Sequence, residues 1–375
     1  MRCAICLLLV TGCQGYLSIE PPETATDGGG IRITLDDAAT PGGDAWVPPG
    51  TDAGADASTP PRADAGPPDP CAGVICGANS NCDPRSGSCS CDPGFVSSGG
   101  ACVAPPAGDP AGRSAAEVCA RWNGDHAESS PSWIAGAGCD PGTMPQAAID
   151  DTVRRVSLFR WLAGLPPVAY DGSDHQGMME CARMMDANGS LSHSPPSSWQ
   201  CYTAGGAGAA GRSNIALGYP TSASSVDGYM EDDCGGTQCN LGHRRWILST
   251  GLGAVEVGSA GRGHCLGVFR GGGSSDRPWT AYPNPGPSPI DLARAAWSVQ
   301  ANTIDLSSAT VRVVRASDGV EMPVEPYFIG GGFGPPSTLA WEHRSWAPSP
   351  GERYQVTLSG TSAGEIRYEV HVVGC

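Results

Sequence analysis

The chain has 375 residues, and its 54 Gly and 34 Pro put too many breaks in regular structure for a single all-helical bundle. At about 100 to 200 residues per domain, such a length fits two or three modules joined by linkers. Thirty-eight acidic residues against 22 basic ones, every one of them Arg, give a net charge of −16, which argues against nucleic acid as a partner and leaves no Lys for Schiff-base or lysine-base chemistry.

Arg2 precedes an apolar run from Ala4 to Val10, far short of the roughly 20 residues a membrane-spanning helix needs, so it reads as a signal. The run ends in Val10-Thr11-Gly12-Cys13, which resembles the lipobox of bacterial lipoproteins. That resemblance implies a leader over 1–13, acylation of Cys13, attachment to the membrane through the lipid and, with Gln14 next, an outer-membrane, extracytoplasmic destination. From 14 to 70 the composition shifts to Pro, Gly, Ala, Thr and Asp, with ten acidic residues against Arg32 and Arg62. Such a segment cannot bury enough apolar surface to offset its chain entropy, and it reads as a disordered acidic tether.

Seventeen Cys in the chain point to an oxidising compartment. Six of them, Cys71, Cys76, Cys82, Cys89, Cys91 and Cys102, fall in the short stretch 71–103, where cross-links must replace a core. Their spacing, with Cys89-Ser90-Cys91-Asp92-Pro93-Gly94-Phe95, resembles an EGF-like module. Spacing alone leaves fifteen connectivities open; the resemblance implies first-to-third, second-to-fourth and fifth-to-sixth pairing. Only Asp69 and Pro70 precede the first Cys, so no calcium site is expected.

From Ala115 onward apolar residues recur at helical spacing. Ile149, Val153, Val156, Phe159 and Leu162 predict a helix with one buried face, ended by Gly164-Leu165-Pro166-Pro167. A second helix is predicted from Ser173, with Gln176 in capping-box spacing, through a core-filling stripe of Met178, Met179, Ala182 and Met185 to Asn188-Gly189. A third covers Val226 to Asp232. Val255–Val257 and Cys265–Phe269 read as strands.

Four blocks in order then carry a resemblance: Gly164-Leu165-Pro166-Pro167-Val168-Ala169-Tyr170-Asp171, Leu191-Ser192-His193-Ser194-Pro195, Ser213-Asn214-Ile215-Ala216, and Gly242-His243-Arg244-Arg245-Trp246-Ile247-Leu248. Together they resemble the CAP superfamily of cysteine-rich secretory proteins, antigen 5 and plant pathogenesis-related proteins, over 115–280. The resemblance implies an α+β fold, a three-layer α-β-α sandwich with a cleft lined by two His and two Glu. His193 and His243 stand at the His positions. Ser213 replaces the first Glu, and the second falls on Asp232 or its neighbour Glu231. Two imidazoles and one carboxylate can hold a divalent metal such as zinc, so His193, His243 and Asp232 are the candidate ligands. A Ser hydroxyl at 213 is a poor ligand and no general base. His126, His175, His264, His343 and His371 have no second ligand at useful spacing.

Tyr282 to Pro289 reads as a Pro-rich hinge. Over 290–375 the period changes to 2, in Val311 and Val313, in Tyr354, Val356 and Leu358, and in Ile366, Tyr368, Val370 and Val372. An all-β sandwich of the immunoglobulin or fibronectin kind is expected, with Trp341 in its core and Tyr354 at a strand corner. Gly360-Thr361-Ser362-Ala363-Gly364 fits a nucleophile-elbow pattern but lies between two strands, the wrong context. Eight Cys remain for 115–375, and the expected pairs are Cys119–Cys139, Cys181–Cys201, Cys234–Cys239 and Cys265–Cys375, one of 105 connectivities.

These elements lead to a lipid-anchored surface module, and the CAP resemblance implies that it captures a lipid or sterol-like ligand, or a surface protein, without turning it over. A metal-dependent hydrolase or protease using the two-His cleft is the alternative, and an adhesin built only of scaffolding is the third.

Overall fold

A computed structural model describes residues 109–375 apart from 234–237 and 344, with short stretches between 69 and 103. The leader, Cys13 and all of the 14–70 tether except Asp69 lie outside the described residues. In the small module, β1 (Ser80–Cys82) pairs with β2 (Cys89–Cys91), and β3 (Val96–Ser98) with β4 (Ala101–Val103). Disulfides join Cys71 to Cys82 and Cys76 to Cys89, two of the pairs that the EGF-like resemblance implies. The fifth-to-sixth pair, Cys91 with Cys102, lies outside the described side chains.

The next segment is helical and capped by its own sequence. Ser114 Oγ accepts from the Glu117 amide at 3.1 Å and opens α1 (Ala115–Asp125), and Pro145 precedes α2 (Gln146–Leu162), in which Ile149, Val153, Val156, Phe159 and Leu162 are buried. After β5 (Ala169–Tyr170) comes α3 (His175–Asn188), stopped by Gly189 at φ 56. Its cap is Asp174, whose carboxylate accepts from the Gly177 amide at 3.2 Å, so the helix opens after Asp174 and not at Ser173. Ser173 instead donates its own amide to Asp171. A helix that periodicity gives no sign of, α4 (Ala204–Ala210), consists of Ala and Gly. Smallness is its function: a Cβ on Gly206 would sit 3.0 Å from the Cys181 backbone nitrogen, so only such residues let α4 lie against α3.

β6 (Ser213–Leu217), α5 (Ser222–Glu231), α6 (Gly242–Ile247), β7 (Ala254–Ala260) and β8 (Gly263–Arg270) complete this part. The sheet runs β5-β7-β8-β6. Strand alternation sorts its two faces. Val255, Val257, Leu266 and Ala216 pack with α2 and α5, whereas Ile215, Ala260 and Cys265 pack with α3 and α4. This is a three-layer α-β-α sandwich.

From residue 280 the chain is mostly strand. β9 (Thr280–Tyr282), β10 (Gly286–Pro289), α7 (Ile290–Arg294), β11 (Trp297–Ala301), β12 (Thr310–Arg315), β13 (Glu321–Met322), β14 (Glu325–Ile329), β15 (Ser337–Glu342), β16 (Arg353–Thr361) and β17 (Gly364–Val373) form two sheets, ordered β10-β17-β16-β12-β13 and β14-β15-β11-β9. Their shared core holds Trp297, Trp341, Tyr354, Val356, Leu358 and Val370. The stretch 282–289 is thus no hinge. Tyr282 ends β9, which pairs with β11, and β10 pairs in parallel with β17, so Pro287 and Pro289 sit in an edge strand where a missing amide costs little, and Pro283 and Pro285 lie in the short link before it. The Tyr354 hydroxyl donates to the Glu352 carboxylate.

The disulfides beyond the small module differ from the expected scheme. Cys119 pairs with Cys375, Cys139 with Cys201 and Cys181 with Cys265, which replaces Cys119–Cys139, Cys181–Cys201 and Cys265–Cys375. Expecting short loops was the error, because the layers decide: α3 packs on β8, and α1 lies beside the chain end, where Asn123 donates to the Cys375 carbonyl at 3.4 Å. Cys239 is disulfide-bonded, and its expected partner Cys234 lies outside the described residues.

Candidate functional site

The end of α5 and the start of α6 bring His243 and Asp232 together. Asp232 follows α5 at φ 49, and Leu241 precedes α6 at φ 49, so a left-handed residue stands at each end of the intervening loop. Asp tolerates that conformation, whereas for a buried Leu it is strained, a cost of about 1–3 kcal/mol that the packing around Leu241 must hold. The result is a 2.8 Å hydrogen bond from His243 Nδ1 to Asp232 Oδ1, with the second carboxylate oxygen accepting from the Arg244 amide at 3.3 Å. The His243 ring lies 5.3 Å from the ring of Tyr229, whose hydroxyl is pushed well above its ordinary pKa by burial. Below them, Asn214 Nδ2 donates to the His243 carbonyl at 3.0 Å and ties α6 to β6.

The other expected cleft residues do not join this pair. His193 is exposed and donates from Nδ1 to the Ala210 carbonyl at 2.9 Å; since a carbonyl only accepts, Nδ1 carries the proton and Nε2 the lone pair. Ser213 is buried and lines no cleft: its hydroxyl donates to the Ala209 carbonyl at 2.7 Å and lies 3.4 Å from Met178 Sδ. Alternation along β6 explains this. Ser213 shares the face of Ile215 toward α3 and α4, while Asn214 takes the face that meets His243. Glu231 is exposed, and only its backbone carbonyl takes part, accepting from Arg244 Nη2 at 2.7 Å.

Two imidazoles and one carboxylate make zinc the candidate metal, and the donor set the structure brings together does not fit it. Among the described residues no group of three or more His, Cys, Asp and Glu side chains is gathered as metal ligands. His243 and Asp232 supply two, with Asp232 already engaged twice. What the pair can do is hold one imidazole in the Nδ1-protonated tautomer with Nε2 outward as an acceptor.

Two residues of the same block do more structural work than their neighbour His243. Arg244 is fully buried and donates to the carbonyls of Met230 (2.6 Å), Glu231 (2.7 Å) and Ala296 (2.7 Å), with its guanidinium 3.9 Å over the Tyr282 ring. Arg245 donates to Gly330 at 2.6 Å and to Pro335. Both therefore fasten α6 to the C-terminal sheets. Consecutive Arg in a short helix ordinarily suggest an exposed basic turn, and the signal that could have corrected this is the lack of any acidic residue three or four positions away. A second missed feature lies on the α3 side of the sheet. The buried Glu256 carboxylate accepts from Arg212 at 3.2 Å and Arg270 at 2.8 Å, and Arg212 pairs in turn with Asp174.

Residues 153–266 match the family described as the cysteine-rich secretory protein family, CAP. The match spans less than a third of the chain. No curated protein and no solved structure matches it. The chain carries a CAP-superfamily domain, set between a disulfide-bonded module and a pair of C-terminal β-sheets. The domain and its disulfides are those of an extracellular protein, and among the described residues no helix is long and apolar enough to cross a membrane.

Proposed function

We propose that this CAP-domain protein is a non-catalytic surface module that binds an apolar, lipidic ligand beside α6, and that acylated Cys13 anchors it to the membrane. The observation that carries the reading is the burial of Ser213. With no carboxylate at that position, Asp232 is the one acidic group bonded to His243 among the described residues, and its oxygens are engaged by His243 and the Arg244 amide. Orientation of one imidazole survives, and among the described residues no second acid or base side chain is bonded to the pair. Apolar surface supports the ligand class. Phe333 lies 3.3 Å from where a Cβ on Gly242 would be, and one turn further along α6 Trp246 stacks on Phe269 at 4.5 Å. Phe269 is 53% exposed and Phe333 43%, two large apolar rings from β8 and the loop after β14 that face water where they pack against the helix carrying His243.

The test is binding of a fluorescent long-chain fatty acid and of a labelled sterol to the full chain, with Trp246→Ala and Phe269→Ser as variants. Saturable binding that drops at least tenfold in both variants supports the reading, and equal binding in wild type and variants sinks it. The His243–Asp232 pair favours one competing reading, hydrolysis with His243 as base. Turnover of ester or peptide substrates that is lost in His243→Ala would replace the binding reading with that one. Anchoring is checked separately: Cys13→Ser should move the protein out of the detergent phase, and equal partitioning would remove the anchor.

A further inference from the structure

A cavity of about 490 Å³ lies where the start of α1 meets the C-terminal sheets. That volume is within the roughly 300–1,000 Å³ usual for small-ligand sites. Its walls carry Arg113, Arg277, Arg353 and Arg367, against the carboxylates of Asp109 and Glu369 alone. In a chain of net charge −16 this is a local excess of positive charge. The excess is neutralised unevenly. Arg353 meets Glu369 at 2.9 Å and Arg367 pairs with Glu365, both at the exposed rim, but the nearest carboxylate to Arg277 is Asp109 at 3.9 Å, the limit of an ion pair, and Arg277 Nε is buried with no hydrogen-bond partner among the described residues. Ser114 and Ala115 bring the positive end of the 11-residue helix α1 to the same wall.

The cavity also has an aromatic wall. Trp279 and Tyr368 line it with ring centroids 5.5 Å apart and planes inclined by 36°. Arg forks recognise carboxylates and sulfates in two-point geometry, and aromatic faces take the flat apolar face of a ring. The mouth is formed by Arg353 and Arg367, which are 55% and 73% exposed, so a chain of linked units can run out of it.

From this combination we propose that the junction cavity binds an acidic saccharide, with its carboxylate or sulfate on Arg277, Arg353 and Arg367 and a sugar ring against Trp279. The site is independent of the lipid site beside α6: its lining shares no residue with α6 or its aromatic rings.

Calorimetry on the full chain tests it, with an oligogalacturonate and a chondroitin sulfate oligosaccharide as acidic probes, a neutral oligosaccharide of the same size, and inorganic phosphate. The expected result is binding of an acidic probe at least tenfold tighter than of the neutral sugar or of phosphate, weakening as salt is added. Arg367→Gln, at an exposed position, should lower affinity severalfold with an unchanged melting temperature, and Trp279→Ala should lower it for the saccharide but not for phosphate. Equal affinity for the neutral sugar, phosphate binding as tightly as the saccharide, no binding of either acidic probe, or unaltered binding in Arg367→Gln would each overturn the proposal.

Discussion

The helices α6 and α1 each meet the C-terminal sheets through Arg-rich contacts, with opposite results. On the α6 side Arg244 is fully buried and three backbone carbonyls converge on it within 2.7 Å. On the α1 side Arg277, Arg353 and Arg367 face a cavity, and the covalent Cys119–Cys375 bond holds α1 to the chain end instead. Guanidiniums become fasteners where carbonyl oxygens replace every water they lose. Where a disulfide already holds the contact, they line a cavity, with Arg353 and Arg367 paired to carboxylates at its rim.

The comparison breaks first at Arg244. Burial pulls its pKa below the ordinary value, yet its hydrogen bonds keep the charged form, so replacing it leaves buried carbonyls without donors. Arg244→Met should lower unfolding free energy by on the order of 4 kcal/mol in urea titration, whereas Arg367→Gln should stay within about 0.5 kcal/mol. Similar losses in the two variants would erase the distinction between fastener and cavity wall.

The covalent side comes next. Cys119 and Cys375 are 256 residues apart, and the bond chiefly restricts the unfolded chain. The double variant Cys119→Ser/Cys375→Ser should lose about 2–4 kcal/mol by the same titration. Its acidic-saccharide affinity should fall as well, because both the cavity wall and the chain end are then free to separate. Retention of both properties would mean that packing alone closes this side.

How much of this was legible in the sequence depended on what kind of information each feature needs. The buried faces of α2 and α3 follow from a 3.6-residue period, and the four blocks in order carry a likeness to the family that 153–266 match. α4 has no apolar period to read, being Ala and Gly throughout. Proline suggested a hinge at 282–289, because a sequence does not say which strands lie at an edge. The disulfides and the cleft were misjudged for a related reason. Cys181 reaches Cys265 through the stacking of α3 on the sheet, and Ser213 turns from His243 through the alternation of β6, both facts about faces rather than distances along the chain.

A third prediction extends the comparison to a buried base that keeps no charge. His264 is 1% exposed, with Nε2 3.0 Å from the Tyr219 carbonyl and Nδ1 3.0 Å from Ser259 Oγ. Burial lowers its pKa from 6.5 to about 4, outweighing the opposite pull of the Tyr219 carbonyl and of Asp186. Above pH 6.5 both folded and unfolded forms are neutral at this site and it contributes no slope. As pH falls from 6.5 to 4 only the unfolded chain takes up the proton, so stability drops, by up to about 3 kcal/mol across the window. Urea unfolding at pH 7 and pH 4.5 measures this, and His264→Gln should flatten most of the difference. An equal pH loss in the variant would assign the slope to other groups.

The smallest effect belongs to the pair that gives the candidate site its geometry. Asp232 contributes one charge-assisted bond to His243 at 2.8 Å and a longer contact to the Arg244 amide at 3.3 Å, from a backbone at φ 49. Asn keeps the shape, tolerates the left-handed conformation and still offers an acceptor to His243, so Asp232→Asn should cost only about 1 kcal/mol. Asp232→Gly removes the acceptor but also relieves the backbone, and the two terms oppose each other at about 1 kcal/mol each. Asp232→Gly is therefore expected to stay close to the wild type in urea titration, about 1 kcal/mol above Asp232→Asn, with fatty-acid binding beside α6 reduced only where His243 loses its acceptor. If Asp232→Asn destabilises as strongly as Arg244→Met, the pair is a fastener of the α6 side and not part of a site held open beside it.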